Sequence, residues 1–331
     1  MSESPDGSIF SLPQYLEVLC RAAGGRFAVL GVRHGDKLAG GVALYERDSR
    51  YGMYVSPRLL LSYNGVVLRR HETRYPSQQA ARNIKVMSGL VAVLAGRGYA
   101  RVTLNCSSSI NDLRPFLAAG WWAFPSYTYV VPIADLELLW SRIEQNLRRL
   151  IKRCEKDGMT VNDDDDFEAF FRMHANTMER KGQGPYLPEP AFRRYFETLR
   201  AANLCRLFHA RLPDGRPIST QLVLLGPCPV THTVASAADP EFLRTGATAF
   251  LRWKTFEAVS AMGFSANDLT GAGLNPVTHF KSQLGGDLHL FLVVDSPRTL
   301  RYRLGGRAEA LYRRSRMALE NAARRAGLKT S

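Results

Sequence analysis

No apolar stretch in this chain approaches the length of a bilayer span, which excludes a helical transmembrane protein and leaves only peripheral membrane contact. The opening residues, MSESPDGSIF, lack the basic start and apolar run of a secretory leader, so none is expected. Cysteine is sparse. The five thiols (Cys20, Cys106, Cys154, Cys205, Cys228) are scattered, none sits in a CxxC pair, and an odd number argues against a disulfide framework. They read as reduced residues of a cytoplasmic protein. The seven histidines are isolated, and no Ser/His/Asp or Cys/His arrangement can be drawn, which argues against a nucleophile-first mechanism. No His/Glu cluster accompanies the acidic run Asp163 to Asp166, so no metal site is expected there.

Acidic residues are also outnumbered. Lys+Arg 44 against Asp+Glu 30 gives a net charge of +14, a balance that points to polyanionic company. The excess is uneven: ten Lys/Arg and two Asp/Glu fall between Pro297 and Ser331, so +8 of the charge lies in that tail. It carries Arg298, Arg301, Arg303, Arg307, Arg313, Arg314, Arg316, Arg324 and Arg325 with Leu304, Leu311, Met317 and Leu319 on a helical pattern. Docking on the protein, RNA backbone and a membrane surface are all open to it.

At 331 residues the chain is long enough for two domains with their own cores. A short amphipathic helix over 8–24 starts near Pro13 and stops at Gly24-Gly25. Strands on either side of His34-Gly35-Asp36 form a hairpin, and a strand or two follow over 51–68. A helix from Tyr75 to Ala95, a buried strand from Ala100 to Cys106, a helix from Asn111 to Ala119 and a strand from Tyr127 to Ile133 complete the first unit. The second half repeats the order. Helices are expected over Leu136 to Asp157, Phe167 to Lys181 and Ala191 to Ala202. A hairpin at Asp214-Gly215, a strand from Thr231 to Ser236, a helix from Thr245 to Met262, a short strand at Asn267 to Leu269 and a last strand from Leu288 to Val294 follow. This order predicts an α/β fold of two tandem units with mixed central sheets and flanking helices: residues 1–135, 136–296 and a basic helical tail over 297–331.

Several stretches carry chemical content. Between Asn267 and Leu288 a Gly-rich loop precedes Phe280-Lys281 and the last strand. A lysine there can set a cation beside a developing oxyanion; equally, Phe280 suits a core and Lys281 a solvated helix. On the helix beginning at Leu136, Arg149, Lys152, Arg153 and Lys156 share a face distinct from that of Ile143, Leu147, Leu150, Ile151 and Cys154. That face is either a solvated surface or a phosphate-contacting stripe. One aspartate of Asp163 to Asp166 caps the helix from Phe167, with the others complementing its dipole. Lys181 closes a helix and Tyr186 follows in a loop, either an ordinary helix end or a ligand contact. The turn Arg244-Thr245-Gly246-Ala247-Thr248 opens a helix whose first N–H groups can bind an anion.

The pattern Asp268-Leu269…Gly271…Phe280-Lys281…Leu284-Gly285 resembles the C-terminal signature of Fem-type aminoacyltransferases, members of the wider GNAT acyltransferase superfamily. The run from Asn146 to Gly158 is similar to the N-x-R…K-A-E-x-x-G segment that opens the second domain of that family, and Lys181-Gly182 to its R-K-G turn near the substrate cleft. The resemblance implies two tandem acyltransferase-fold domains and transfer of an acyl group to an amine. It assigns Lys281 to the carbonyl or leaving oxygen and Phe280 to the ribose or adenine end. It assigns Arg244, Thr245, Gly246 and Thr248 to the donor. Tyr63, Asn64, Arg149, Lys152, Arg153, Lys181 and Tyr186 fall to acceptor or phosphate. Three departures matter. Arg244-x-Gly246-Ala247 is a degenerate form of the coenzyme-A loop, so aminoacyl-tRNA is the expected donor and acyl-CoA the alternative, with no resident cofactor. Ser62-Tyr63-Asn64-Gly65 stands where the family has R-G-P-V, and Asn105-Cys106 where it has Asp-Pro, so a carboxylate base is missing at that spot. The expected acceptor is the free amine of a small peptide, a cell-wall precursor or a peptide natural product. Transfer from acyl-CoA to a sugar or exopolysaccharide precursor, and a non-catalytic binding module, are the other readings.

Overall fold

The computed structural model describes residues 4, 6–71 and 73–305. The first half runs α1 (Pro13–Ala23), β1 (Arg26–His34), β2 (Lys37–Ser49), β3 (Gly52–Val55), β4 (Val66–Leu68), α2 (Pro76–Gly96), β5 (Arg101–Asn105), α3 (Arg114–Ala118) and β6 (Trp122–Pro132). The second runs α4 (Leu136–Arg142), α5 (Gln145–Lys156), β7 (Thr160–Asp163), α6 (Phe167–Arg180), α7 (Glu189–Ala201), β8 (Cys205–Arg211), β9 (Pro217–Leu224), β10 (Val230–Ala238), α8 (Ala247–Ala261), β11 (Ala266–Asp268), α9 (Pro276–Ser282) and β12 (Asp287–Asp295).

The repeat is visible in the pairing. Hairpin β1–β2 corresponds to β8–β9, and the parallel pair β3·β5 corresponds to the parallel pair β10·β11, each joined through a long helix, α2 or α8. The fold is thus α/β, built of two GNAT-type units in tandem. They share one mixed sheet in the order β1-β2-β3-β5-β12-β6-β11-β10-β9-β8-β7, with β4 paired to β2. The last strand, β12, enters between β5 and β6 and is antiparallel to both. β6 in turn passes its final residues, Val130 to Pro132, to β11.

Three apolar clusters hold the helices on this sheet. Phe10, Tyr15, Leu16 and Leu19 of the N-terminal segment pack with Phe167, Phe170, Phe192 and Tyr195 and with Leu207, Leu222 and Leu224. The first helix therefore packs against α7 of the second half. Leu90, Leu94, Leu104 and Phe116 form a second cluster, and Ile151, Cys154, Phe208, Val223, Phe250 and Phe256 a third under α4, α5 and α8. Each fully buried Leu or Phe contributes about 1.5–3 kcal/mol of transfer free energy.

The helix expected over 136–157 is broken into α4 and α5. Ile143 and Glu144 adopt extended ψ values, 135° and 142°, and Glu144 N donates to Gln283 O at 3.0 Å while Gln283 Nε2 donates to Glu144 Oε2 at 2.8 Å. A tertiary pair stands where the helical pairing is interrupted. A helix, α9, follows the Gly-rich loop and carries Phe280 and Lys281, with Asn275 Oδ1 accepting from Thr278 N at 3.0 Å and Pro276 opening it. Asp166 caps α6 through Ala169 N at 3.0 Å, as the sequence suggests. Its neighbours are ion-paired instead: Asp163 with Arg200 and Arg206, Asp164 with Arg211 and Asp165 with Arg200. Among the described tail residues Arg298 pairs with Asp295 at 3.2 Å; Arg307, Arg313, Arg314, Arg316, Arg324 and Arg325 lie outside the described residues. Among the described residues no helix is long and apolar enough to cross a membrane.

Candidate functional site

β10 and β11 pair over only three residues, with His232 opposite Asp268. Beyond that point β10 continues along β9 to Ala238, whereas the chain leaves β11 as the loop Leu269-Thr270-Gly271. The sheet opens there. Thr270 spans the opening, its Oγ1 donating to Thr233 O at 2.6 Å. Its φ is +50°, an outlying conformation for a β-branched residue. Such a conformation costs about 1–3 kcal/mol and persists only where surrounding bonds dictate it.

Lys281 supplies those bonds. Its ammonium donates to the carbonyls of Leu269 (2.7 Å), Thr270 (3.0 Å) and Gly271 (2.7 Å), which engages all three of its N–H groups. Burial, then the charge of Arg252, lowers its pKa to about 8, with Asp268 opposing. Phe280 beside it is half-buried and packs on the cluster under α4, α5 and α8.

The other face of the loop meets Asp268. This carboxylate is buried, accepting from Tyr63 Oη at 2.7 Å, Thr128 Oγ1 at 2.5 Å and Thr270 N at 2.7 Å, with His232 Nδ1 3.6 Å away. Burial pushes its pKa up, but His232, Thr128 and Tyr63 together outweigh that and hold it below the usual carboxylate range. The same arrangement drives the Tyr63 pKa far upward, through burial first and the charge of Asp268 second. Asp268 is therefore a fixed anion and Tyr63 a fixed phenol.

A cavity of about 350 Å³ lies between the halves. Tyr63, Arg58 and Asn105 contribute from the first half; Tyr186, Val234, Thr270, Gly271 and Phe291 from the second. Val234 reaches it from the register shift between Thr233 and Ala235 of β10. The loop carrying Arg58 and Tyr63 is held by the Arg58–Leu61 bridge, by Tyr15 Oη on the Leu60 carbonyl, and by Asn105 Nδ2 on Ser62 O at 2.9 Å. Gly65 lets this loop lie on β5, because a Cβ there would meet Cys106 Cα at 2.5 Å. Arg58 brings a cation to the wall, with Nη1 donating to Tyr45 Oη at 2.8 Å.

The site residues expected from the sequence separate into groups. Tyr63 and Tyr186 line the cavity, and Lys281 lies one layer behind its Thr270–Gly271 wall. Tyr186 is seated by its N–H on His174 Nε2 at 3.2 Å. Asn64 is buried next to Tyr63 and spends its amide on the backbone of Thr103 (3.0 Å) and Asn105 (2.8 Å). Lys181 is an exposed end of α6. Arg149, Lys152 and Arg153 are on the exposed face of α5, with Arg153 near Asp157 at 3.5 Å and Lys152 6.0 Å from the Trp140 ring. The cavity lining includes none of the three. At the start of α8, Arg244 is exposed, Thr245 Oγ1 donates to Phe242 O at 2.7 Å, and Thr248 is half-buried. Gly246 has φ +92° and is pressed on α5: a Cβ would meet Leu150 Cβ at 2.6 Å. Its glycine is required by helix packing.

Sequence reading missed Asp268 as a site group, along with Thr128, Thr270 and Arg58. Asp268 stood within the quoted signature, at the end of a short apolar strand; its partners come from 205 and 140 residues away, which no local pattern reveals. Among the described residues no group of three or more His, Cys, Asp or Glu could hold a metal ion.

A sheet that parts between two parallel strands, beside a long helix with a glycine at its start, defines an acyltransferase-type architecture. The comparisons agree. Residues 141–282 match the acetyltransferase (GNAT) domain family. Among solved structures, FemX superposes with a TM-score of 0.70 at 14% identity, over 88% of this chain and 93% of that one. The C-terminal domain of a putative lysylphosphatidylglycerol synthetase from Agrobacterium fabrum gives 0.59 at 12% identity, covering 90% of this chain and 92% of that one. The structure of L-PGS from Bacillus licheniformis gives 0.55 at 12% identity, covering 88% of this chain and 94% of that one. No curated protein matches the sequence. Residues 141–282 thus carry a GNAT domain, and the chain as a whole has the fold of FemX.

Proposed function

We propose that this protein is a Fem-like N-acyltransferase. It would move an aminoacyl group from aminoacyl-tRNA to the free amine of a small peptide-type acceptor, a cell-wall precursor or a peptide natural product. The observation that carries this reading is the cavity between the halves, closed on one side by the loop that Lys281 ties down and on another by Tyr63 bonded to Asp268. An amine and an ester can meet there with little else to do than be positioned.

In this reading the acceptor enters the cavity with its amine against Tyr63, and Arg58 meets any acidic part of it. The donor approaches along the start of α8, where Arg244 is exposed beside the positive end of the helix. The amine nitrogen attacks the ester carbonyl; the new C–N bond forms, the C–O bond breaks, and the amine proton leaves with the ribose oxygen. Asp268, held ionised, is a poor proton acceptor; it fixes the Tyr63 hydroxyl, whose free lone pair orients the amine. Lys281 contributes its charge through the low-dielectric wall to the developing oxyanion while its N–H groups keep the strained loop in place. With charged tRNA as donor the reaction belongs to the cytoplasm, and the basic balance of the chain suits that partner.

A second reading, acyl-CoA-dependent transfer to a sugar or exopolysaccharide precursor, is favoured by the acetyltransferase family of residues 141–282. Turnover is measured with charged tRNA and with acetyl-CoA, each with and without ribonuclease, against a panel of amines. Product from charged tRNA that disappears on ribonuclease treatment is expected. Ribonuclease-insensitive turnover with acetyl-CoA alone removes the tRNA donor.

A further inference from the structure

The sixth residue of α8, Arg252, is 5% exposed, yet its Nε and Nη1 have no hydrogen-bond partner among the described residues, and no carboxylate pairs with it. Thr255, three residues on and so on the same helix face, has a buried hydroxyl without a partner. Gln221 is in the same condition at both amide atoms. Alternation along β9 sets Gln221 on the face of Val223, the face that packs with Phe250 and Phe256 of α8. Facing elements thus hold five buried polar atoms with unused hydrogen-bonding capacity, one pair of them on a guanidinium.

The chain's own acids do not answer this cation. Asp268 is engaged by Tyr63, Thr128 and Thr270, and Glu155 and Glu257 pair with Lys254 at 2.8 and 2.9 Å. Burial lowers the Arg252 pKa only to about 10, so it remains charged at neutral pH. An unpaired buried charge is strongly destabilising, and a fold that retains one leaves it for an anion that arrives later. Arg252 is five residues past the start of α8, about 7.5 Å along the axis. It therefore lies deeper than the Arg244–Thr248 turn, and near enough to Lys281 for its charge to act on that ammonium.

We propose that Arg252, with Thr255 and Gln221, receives a carboxylate borne by the transferred acyl group, so that the enzyme selects donors with an acidic acyl side chain over their neutral isosteres. This rests on the reading of the α8 edge as the donor side. A terminal carboxylate is small, planar and presents two oxygens to the guanidinium fork. A phosphodiester continues in both directions and needs an open groove, which a residue this buried does not offer.

Two donor pairs test it on the full chain: one tRNA charged with glutamate or with glutamine, and glutaryl-CoA or its terminal amide. Whichever donor class is used, kcat/KM favours the acid by at least about 100-fold, because rejecting the amide leaves a buried charge unpaired. In Arg252→Met the preference collapses to near unity. A second readout needs no turnover. Glutarate raises the melting temperature of the wild type and glutaramide does not; Arg252→Met melts higher than the wild type without ligand and ignores glutarate. Equal turnover of acid and amide, or equal protection of the wild type by glutarate and glutaramide, overturns the proposal. So does an Arg252→Met protein that melts lower and keeps the acid preference. If neither donor class is turned over but glutarate protection depends on Arg252, the subsite stands and the transfer reaction is what fails.

Discussion

Tyr63 donates its hydroxyl to Asp268 across the boundary between the two halves, at 2.7 Å, and together with the Thr128 bonds to Asp268 and Gly271 N it fixes first-half side chains against the second-half loop. Removing the hydroxyl in Tyr63→Phe leaves the ring in its contacts with Phe10 and Phe291 but frees one carboxylate oxygen. The expected stability cost is about 1–3 kcal/mol, typical of a buried charged hydrogen bond. The expected loss in kcat is about 10- to 100-fold with KM for the donor little changed, through lost positioning. Asp268→Asn reduces kcat at least as far. Steady-state kinetics with denaturant unfolding separates the two effects; a Tyr63→Phe enzyme with unchanged kcat removes Tyr63 from the site.

Lys281 gives the pH dependence. Its pKa in the folded protein, about 8, is below the ordinary lysine value of 10.5. Above pH 8 the ammonium loses a proton, and one of the three carbonyls at 269–271 loses its donor. Activity is therefore expected to fall above about pH 8, and Lys281→Arg, charged throughout, is expected to lack that limb in a pH–kcat profile. The stability effect has the opposite sense. Because the folded pKa is depressed, the unfolded chain binds more protons between pH 8 and 10.5, so this residue's contribution becomes less unfavourable as pH rises through that window. Lys281→Ala with full activity would remove the catalytic assignment.

Gly246 tests the packing of α8 on α5. Gly246→Ala introduces a Cβ 2.6 Å from Leu150 Cβ at a φ of +92°, and a loss of about 2–4 kcal/mol is expected from strain and overpacking together. Leu150→Gly in the same chain, which removes the clashing Cβ, should recover the overpacking part but not the backbone part. Urea unfolding of the four proteins of this double-mutant cycle gives the coupling; strict additivity would show that α5 and α8 do not meet here.

The legible parts of this fold are those fixed by local chemistry. His34-Gly35-Asp36 and Asp214-Gly215 mark hairpins because left-handed glycines, with φ +58° and +86°, make the turns. Pro13 and Gly24 bound α1 for equally local reasons. The break between α4 and α5 was not legible, since neither glycine nor proline marks it; Gln283, some 140 residues on, competes for Glu144. α9, seven residues long and flanked by glycines, was legible only as the alternative that put Lys281 on a helix. Within the site, Tyr63, Tyr186 and Lys281 came from resemblance to a family pattern. The His232–Asp268 neighbourhood depends on a three-residue parallel pairing, and parallel register is set by distant packing rather than by either strand alone.

The place of β12 also fixes an order of events during synthesis. β5 and β6 have no partner between them until residues 287–295 arrive, and Phe291 of that strand is a wall of the cavity. A ribosome-bound chain that has not yet added residues 287–295 keeps two open sheet edges and a cavity without its Phe291 wall, so the space between the halves closes only after both halves have been made.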